Sequence, residues 1–320
     1  MCYSAKIVQL VKDALRRYGI QMDYTEALRL FLRRRDEPGI VISKAFEANF
    51  DEPANAAERE IKRLIDEHRG RMATQWESEF FKQKTRLVGA QRKLRQKATK
   101  AAMNDVRIAT AKIEALTERL AGLRRRELVD DDSRIFPMQY AGVIVRGEDG
   151  YLLTPMRYHC RPQGQPALID RKFDGLYCAR RDSLDSFWKG QFGKSHALAV
   201  LDAFYENVKA HDLEHRELAP GETAKNIVLQ FKPRPASELL VACVWSHWTD
   251  GQAPDLRSFA VITDDPPPEI AAAGHNRCPI NLKRENVGAW LTPAKRSTDE
   301  LQAILGDRAM PYYEHEVLAA

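Results

Sequence analysis

Cys2, the second residue of the chain, could offer a chemistry that is closed to every internal cysteine. Aminopeptidases remove an initiator methionine when the next side chain is small, and the side chain of cysteine is small enough. The mature chain would then begin with an α-amine and a thiol on one residue, a 1,2-aminothiol. An α-amine with a pKa of about 8 is partly neutral near neutral pH, so it can attack an aldehyde. The sequence therefore makes Cys2 a candidate nucleophile.

Two further residues have types suited to proton transfer. Glu206 follows the apolar and aromatic run of LDAFYEN, and partial desolvation in such a place raises the pKa of a carboxyl toward neutrality. His275 lies in GHNRCP after the flexible Gly274, which indicates a loop, and a loop histidine titrates near neutral pH. A surface glutamate and a solvated or structural histidine are the alternatives that remain open.

The motifs of several other enzyme classes are absent. The chain has no glycine-rich phosphate loop, no GxSxG and no HExxH. His275 with Cys278, and Cys243 with His247, have spacings that a zinc site can use, but the chain has no CxxC pair. We therefore expect neither a bound metal nor a cofactor.

Composition narrows the class of protein. The chain has 320 residues, a hydrophobic fraction of 44% and a formal net charge of +5, which fit a globular protein that can bind a polyanion. Its five cysteines lack CxxC spacing, and no apolar run is long enough for a leader or a membrane span. We expect a cytoplasmic, nucleoid-associated protein with no membrane partner.

The elements that must position these residues change along the chain. Residues 3–35 predict two amphipathic helices, the second entered through Asp23 and Glu26, whose spacing fits a capping box. The Pro38-Gly39 pair should end that helix, and residues 40–42 predict a strand.

Residues 54–135 have a helical pattern without proline. Near its end, apolar residues recur with a 4-3-4-3 spacing, which is typical of a coiled coil or an antiparallel helical hairpin; they are Ala109, Ile113, Leu116, Leu120 and Leu123. Gly89 fits either a turn or a tolerated interruption. Nine basic residues between Lys82 and Arg107 accompany a single acid, Asp105. This run fits phosphate contacts or a solvated helix face.

From residue 136 onward the pattern is mainly β. YAGVIVRGEDGYLLTPMRY predicts two strands about the turn 147–150, and NIVLQF, LLVACVW and SFAVIT predict further strands. STDELQAILGD predicts a helix capped by Ser297, with Glu300 three residues later. The short strands and many turns favour a loop-rich barrel or sandwich.

Five stretches, read in order, resemble the SOS response-associated peptidase (SRAP) family, whose members shield abasic sites in single-stranded DNA. They are MC at the start, PMRYHCRP at 155–162, YCARRDS at 177–183, LDAFYEN at 201–207, and ITDDPPPEIAAAGHNRCPINL running into AWL at 262–291. The resemblance implies an α+β fold, an SRAP-like core that resembles a β-barrel and carries peripheral helices. Residues 1–53 and 136–320 would form this core, and residues 54–135 would be an inserted, basic helical element.

The resemblance also implies roles for individual residues. Cys2 would be the reactive residue, with Glu206 and His275 as its acid–base partners. Arg157, Arg180 and Arg277 would contact DNA phosphate or the site itself. Cys178 stands where family members usually carry an asparagine that orients the N-terminus, and a thiol is a weaker hydrogen-bond partner than an amide. Two other family features, the opening MCGRF and a tryptophan pair beside the site, are missing.

The implied reaction is the capture of an abasic site through a covalent thiazolidine at Cys2 after removal of Met1, with a peptidase activity in self-processing. Arg92, Lys93, Arg95 and Lys97 of the inserted element would add contacts to DNA, whereas its apolar seam fits self-association instead. Two other functions remain open. One is a thiol peptidase with Cys2 as nucleophile and His275 as base, and the other is a non-catalytic scaffold that binds nucleic acid.

Overall fold

The computed structural model describes residues 4–7 and 19–318 of the chain. Cys2, the candidate nucleophile, lies outside the described residues. The chain divides into two compact units. The core unit comprises residues 1–30, 37–49 and 129–320, and the hairpin unit comprises residues 31–36 and 50–128.

The twelve strands of the described chain belong to one sheet. In chain order they are β1 (Ser4–Ile7), β2 (Ile20–Met22), β3 (Arg134–Ile135), β4 (Tyr140–Arg146), β5 (Tyr151–Tyr158), β6 (Cys178–Arg180), β7 (His196–Lys209), β8 (Asn226–Arg234), β9 (Leu239–Trp248), β10 (Leu256–Asp264), β11 (Cys278–Pro279) and β12 (Tyr312–Val317). The nine α-helices of the described residues are α1 (Tyr24–Asp36), α2 (Lys44–Ala48), α3 (Ala56–Gln96), α4 (Lys100–Arg124), α5 (Ile169–Lys172), α6 (Ala210–Leu213), α7 (Pro268–Ala272), α8 (Val287–Trp290) and α9 (Thr298–Gly306).

Five strands of the core unit close into a ring. β10 pairs with β5, β5 with β4, β4 with β7, β7 with β9, and β9 returns to β10. The junction of β4 and β7 is one residue pair, Ile144 with Leu198, so the ring is not a regular barrel. Buried side chains of these strands, including Phe204, Phe259 and Met156, form the hydrophobic core. The predicted α+β fold with a β-barrel-like core is confirmed.

The long strand β7 connects most of this architecture. Its first half pairs with β4 and β9, and its second half pairs with β1 and β8. Residues 196–201 are buried without alternation, as expected for a strand that is covered on both faces. Glu206 therefore lies in the second half of β7, beside the start of β1.

Several predicted strands and caps are confirmed in the core unit. β4 and β5 form the expected hairpin, in which the amide of Gly147 donates to the carbonyl oxygen of Gly150 at 2.7 Å. Asp23 caps α1, since its Oδ1 accepts from the amide of Glu26 at 3.1 Å. Ser297 and Glu300 form the reciprocal capping box of α9.

Two local predictions are wrong. Ser4–Ile7 and Ile20–Met22 are strands and not parts of a first helix, because β7, β3 and β5 supply hydrogen-bonding partners that the local sequence does not reveal. Residues 40–42 contribute only the bridge between Ile42 and Tyr140. The chain then enters α2, where Ser43 Oγ accepts from the amide of Phe46 at 3.3 Å and caps the helix.

The hairpin unit consists mainly of α3 and α4, and the predicted long helical hairpin is confirmed. Asn55 caps α3 and Thr99 caps α4. Two ion pairs fix the antiparallel register, Glu77 with Arg124 and Arg86 with Asp105. The predicted seam is apolar, and its buried members in α4 are Ala109, Leu116 and Leu120.

Gly89 lies inside α3, which continues to Gln96, so this glycine is a tolerated interruption and not the turn. The turn follows at residues 97–99. None of the described helices combines the length and the apolar character that a membrane crossing needs.

Candidate functional site

Glu206 is a carboxyl group buried in an apolar interior. Successive residues of a strand alternate between its faces, so Glu206 shares a face of β7 with Phe204 and Val208, both members of the hydrophobic core. The side chain of Glu206 is completely buried. A carboxyl group at such a position needs a partner, because burial of an isolated charge is strongly unfavourable.

That partner is His275, which a helix ending holds in place. α7 ends in a Schellman motif: the amide of His275 donates to the carbonyl oxygen of Ile270 at 3.2 Å, and the amide of Gly274 to that of Ala271 at 3.0 Å. Gly274 has a φ of +85°, a left-handed conformation that glycine adopts without strain. A Cβ at this position would lie only 2.9 Å from the Cβ of Asp212. The motif therefore requires the glycine that precedes the histidine.

The imidazole of His275 joins Glu206 to the loop that follows α7. Its Nε2 lies 3.3 Å from Oε2 of Glu206, and its Nδ1 lies 2.9 Å from the carbonyl oxygen of Arg277. Burial lowers the pKa of His275 to about 4, so the ring is neutral near neutral pH. We assign the single ring proton to Nδ1, because its 2.9 Å contact with a carbonyl oxygen, which can only accept, is shorter than the 3.4 Å contact with the amide of Arg277. The lone pair of Nε2 then faces the carboxyl group of Glu206.

One mobile proton follows from this geometry. With Nδ1–H directed at the carbonyl oxygen, a hydrogen bond between Nε2 and Oε2 needs one more proton, on the carboxyl group or on the ring. Two groups that share a proton at this distance can act as a general acid and then as a general base. The two predicted acid–base residues are thus brought together by the fold.

Two of the predicted arginines also lie together. Asp182 accepts a hydrogen bond from Nε of Arg180 at 3.1 Å, and an Nη atom of Arg277 lies 3.9 Å from the same carboxylate. Asp265 pairs with Arg277 at 3.1 Å. Arg180 is half-exposed, and its hydrogen bond holds the pKa of Asp182 below the usual range. We call Arg180 and Arg277 the arginine pair.

Cys178 begins β6, the strand that ends at Arg180. Its thiol is buried, and in the parallel pairing of β6 with β10 it lies opposite Val261. The role of Cys178 at the usual asparagine position stays a prediction. Cys278 is also buried, and burial raises the pKa of its thiol to about 12, so this group is a poor nucleophile near neutral pH.

Thr263 lies beside Arg180 of the arginine pair, but it is not among the residues that the sequence pattern singles out. It pairs with Arg180 of β6 and with Pro279 of β11. Its hydroxyl group is buried and has no hydrogen-bond partner in the described part of the chain. The signal was a polar residue at the end of the apolar strand SFAVIT, which strand periodicity alone treats as ordinary.

Arg157 is placed differently from the arginine pair. Its guanidinium is buried, and it donates to Asp170 at 2.8 Å and to the carbonyl oxygen of His159 at 3.1 and 3.2 Å. Arg161 donates to the same Asp170 carboxylate at 3.2 Å. The contact between Arg157 and DNA stays a prediction.

The four basic residues predicted in the inserted element are exposed. Arg92, Lys93 and Arg95 lie in the last turns of α3, and Lys97 is its C-terminal cap. Lys100 and Arg107 follow in the first turns of α4. The basic run is therefore concentrated at the closed end of the hairpin, which we call the basic tip.

A cavity of about 710 Å³ opens beside His275. Its lining includes His275, Gly274, His211, Asp212 and Asp265. Within residues 4–7 and 19–318, no group of three or more histidine, cysteine, aspartate or glutamate side chains could hold a metal ion. The cavity gives solvent and ligands access to the imidazole side of the buried pair.

Comparison with known proteins identifies the family. A model described as SOS response associated peptidase (SRAP) matches residues 70–318, which is more than half of the chain. The chain belongs to the SRAP family. The matched residues include Glu206, His275, Cys178 and the arginine pair, whereas Cys2 precedes them. Membership of this family supports a DNA-damage-associated function and implies interaction with DNA.

Several solved structures resemble the chain at low identity. A protein from Bordetella bronchiseptica is 16% identical, with 61% of this chain and 90% of that chain covered and a TM-score of 0.47. A protein from Bacteroides thetaiotaomicron is 16% identical, with 60% and 80% covered and a TM-score of 0.46. A phage-related protein from Bordetella bronchiseptica is 18% identical, with 62% and 86% covered and a TM-score of 0.44. No curated protein matches the chain.

Proposed function

We propose that this SRAP protein captures abasic sites in single-stranded DNA through a covalent thiazolidine at Cys2, after removal of Met1. The observation that carries the proposal is the buried pair of Glu206 and His275, at the end of β7 where the first strand of the chain pairs. An aldehyde-trapping reaction needs proton transfer at several steps, and this pair can supply it.

Chain connectivity supports the participation of Cys2. Ser4, the first residue of β1, pairs with Tyr205, which directly precedes Glu206. Ser4 is buried, and its Oγ accepts a hydrogen bond from Nε of Arg134 at 3.0 Å, so the start of β1 is fixed. Two residues of chain extend at most about 7 Å. The length of chain between Ser4 and Cys2 therefore limits how far Cys2 can lie from the end of β7 that carries Glu206.

The proposed reaction balances without a cofactor. The α-amine of Cys2 adds to the aldehyde carbon of the open-chain abasic sugar and gives a carbinolamine. Loss of its hydroxyl group as water gives an imine, and the thiol sulfur then adds to the imine carbon while the thiol proton passes to nitrogen. The product is a five-membered thiazolidine, and one water molecule is released.

Glu206 and His275 have separate tasks in this proposal. The acid form of Glu206 protonates the departing hydroxyl group, and the carboxylate then accepts a proton from the thiol or the amine. His275 accepts and returns the proton through Nε2 and assists opening of the sugar ring, in which the C1 hydroxyl loses its proton and the bond from C1 to the ring oxygen breaks.

Positive charge supports binding of the DNA strand. The arginine pair places two guanidinium groups beside Asp182 and Asp265, and we propose that a phosphate displaces these carboxylates to contact the arginines. We further propose residues 54–135 as an inserted accessory element whose basic tip adds phosphate contacts. The exposed apolar side chains of Phe81, Val88 and Met103 fit self-association as the other use of this element.

The test is a reaction of the purified protein with single-stranded DNA that contains one abasic site. We expect a band that survives denaturation, with the mass of protein plus DNA minus one water molecule and without Met1. A Cys2→Ser variant keeps the amine and lacks the thiol, so it should yield only an imine, which borohydride traps.

A variant that retains an acetylated Met1 is the matched control, and it should form no adduct. A thiol peptidase needs the thiol and not the amine, so cleavage of peptides by Cys2 with a blocked amine would favour that function. DNA binding without any adduct would favour the non-catalytic scaffold.

A further inference from the structure

A second cavity lies on the core unit, beside residues that the proposed reaction does not use. Its volume is about 630 Å³, and its lining includes Met138, Arg157, His159, Arg161, Leu168 and Asp170. This volume is in the range of pockets that bind small molecules or single nucleotides.

His159 is the unusual residue of this cavity. Its side chain is 2% exposed, and neither ring nitrogen has a hydrogen-bond partner within residues 4–7 and 19–318. Buried polar groups are almost always hydrogen-bonded, and leaving one without a partner is costly. Burial lowers the pKa of His159 to about 4, so the neutral ring offers one N–H donor and one acceptor.

The two arginines beside His159 are already occupied. Arg157 and Arg161 both donate to Asp170, and the guanidinium of Arg161 also lies 4.3 Å from the ring centre of Trp248. The lining also includes Arg171 and Asp174, one further charge of each sign, so the cationic groups beside His159 itself are engaged by Asp170 and do not favour a phosphate there. The polar group that remains is the neutral imidazole ring of His159, which the buried surroundings hold in place.

The rim of the cavity is apolar. Leu168 is 65% exposed, and Met138 is 49% exposed. Met138 has a φ of 74°, a left-handed conformation that is uncommon outside glycine and concentrates at ligand sites. Apolar side chains above a buried donor and acceptor fit a planar ligand with polar edges. A nucleobase has this chemistry.

The cavity and the arginine pair lie at different positions along β10 and on opposite faces of that strand, because residues an odd number apart alternate in direction. In the parallel pairing along one edge of β10, Ser258 lies opposite Arg157 of β5, and Thr263 lies opposite Arg180 of β6. Five residues of strand span about 17 Å. Several nucleotides of flexible single-stranded DNA can cover this distance and pass around the edge of the sheet, so a strand held at the arginine pair can bring a base to the cavity.

We propose that this cavity binds one unpaired base of the captured DNA strand through His159, at a fixed number of nucleotides from the abasic site. This inference rests on the proposed function, because it assigns a second contact to the same DNA. The cavity is a recognition site for a base and takes no part in the covalent step.

The test measures binding and crosslinking separately. Single-stranded oligonucleotides carry one abasic site and, at one neighbouring position at a time, a tetrahydrofuran residue that lacks both base and aldehyde. Binding is measured by fluorescence anisotropy with a Cys2→Ala variant, and crosslinking with the unchanged protein. We expect affinity to fall about three- to tenfold when the base is removed at one position, with the crosslink yield at saturating DNA unchanged.

Two variants of His159 provide the matched comparison. His159→Gln keeps a donor and an acceptor and should retain the dependence on that base, whereas His159→Leu should lose it, with the melting temperature recorded for both. If removal of no neighbouring base changes affinity, the inference is wrong, while an adduct in the same samples leaves the proposed function intact. A second arm titrates deoxynucleosides alone. If they cause saturable shifts of the His159 ring signals while DNA affinity does not depend on any neighbouring base, the cavity binds a free heterocycle and the inference is overturned.

Discussion

At the scale of single residues, the proposed chemistry depends on the proton between Glu206 and His275. The carbonyl oxygen of Arg277 fixes the proton of the neutral ring on Nδ1, so Nε2 faces the carboxyl group with a lone pair. In the proposed reaction, this arrangement lets Glu206 donate a proton before it accepts one. A carboxyl group that is fully buried keeps that proton more readily than one in water.

The first prediction removes this proton without removing the contact. In Glu206→Gln, the amide can still donate to Nε2 of His275, so the geometry should be retained. It can no longer exchange a proton, and we expect adduct formation to slow by a factor of about 10²–10⁴. Single-turnover crosslinking with excess protein measures this rate, and anisotropy measures affinity for the same DNA.

Glu148→Gln, an equivalent change in the exposed turn between β4 and β5, is the control and should leave both quantities unchanged. An unaltered rate in Glu206→Gln would remove Glu206 from the proposed mechanism. A loss of affinity at an unaltered rate would instead assign Glu206 to DNA binding.

At the scale of elements, the ending of α7 decides where the imidazole lies. Gly274 combines a left-handed φ with a close approach to Asp212, so a side chain there meets two separate obstacles. Strain of the backbone alone costs about 1–3 kcal/mol. The clash adds a displacement of the loop that carries His275.

Gly274→Ala should therefore lower both the stability and the rate of adduct formation. The matched control is Gly221→Ala, because Gly221 has a φ of +84° but no heavy atom within 4 Å of an added Cβ. Both variants should lose stability in urea, and only Gly274→Ala should also slow crosslinking under conditions in which it is folded. Equal rates in the two variants would show that the loop tolerates the clash.

The basic tip gives a prediction about salt dependence. Each phosphate contact by a basic residue steepens the fall of DNA affinity with salt concentration, because counterions are released on binding. Reversal of charge at Arg92, Lys93, Arg95 and Lys97 should weaken binding of single-stranded DNA and flatten this salt slope. Titrations by anisotropy at several salt concentrations give the slope.

A variant with the same change in net charge separates a local contact from the field of the whole protein. Arg59, Lys112, Arg119 and Arg126 are exposed basic residues of the same hairpin unit outside the tip, and their reversal should affect the slope less. Equal slopes in the two variants would assign the effect to net charge. An unchanged slope in both would show that the hairpin does not contact DNA.

At the scale of the whole molecule, the sequence predicted what is encoded locally. The helical hairpin followed from apolar periodicity, and the cap of α9 followed from the spacing of Ser297 and Glu300. β1 was mistaken for a helix because its partners, β7 and β3, are distant in the sequence. The contact of Glu206 with His275 joins residues 69 positions apart, so no local pattern could predict it, and the family resemblance supplied it.

Two buried histidines of the core unit, His159 and His196, predict how the whole molecule responds to acid. Burial lowers the pKa of His159 and His196 to about 4 each, whereas an unfolded chain binds these protons at a pKa of about 6.5. His275 does not belong with them, because the proton that it is proposed to share with Glu206 is bound in the folded state as well. His196 shows why the neutral form is preferred: Nδ1 donates to the carbonyl oxygen of Trp290 at 3.0 Å, and Nε2 accepts from the amide of Gly193 at 2.9 Å. A second proton would break the latter bond.

The free energy of unfolding should therefore be fully retained above about pH 6.5 and fall as the pH is lowered toward about 4, because only the unfolded state binds protons in this window. Each histidine contributes a slope of up to about 1.4 kcal/mol per pH unit. Urea unfolding between about pH 6.5 and 5, above the range in which most carboxylates titrate, measures the sum. His196→Gln should reduce that slope by about one histidine's share, whereas a change of the exposed His315 should leave it unaltered. A flat profile over this range would mean that these two buried rings accept protons without unfolding.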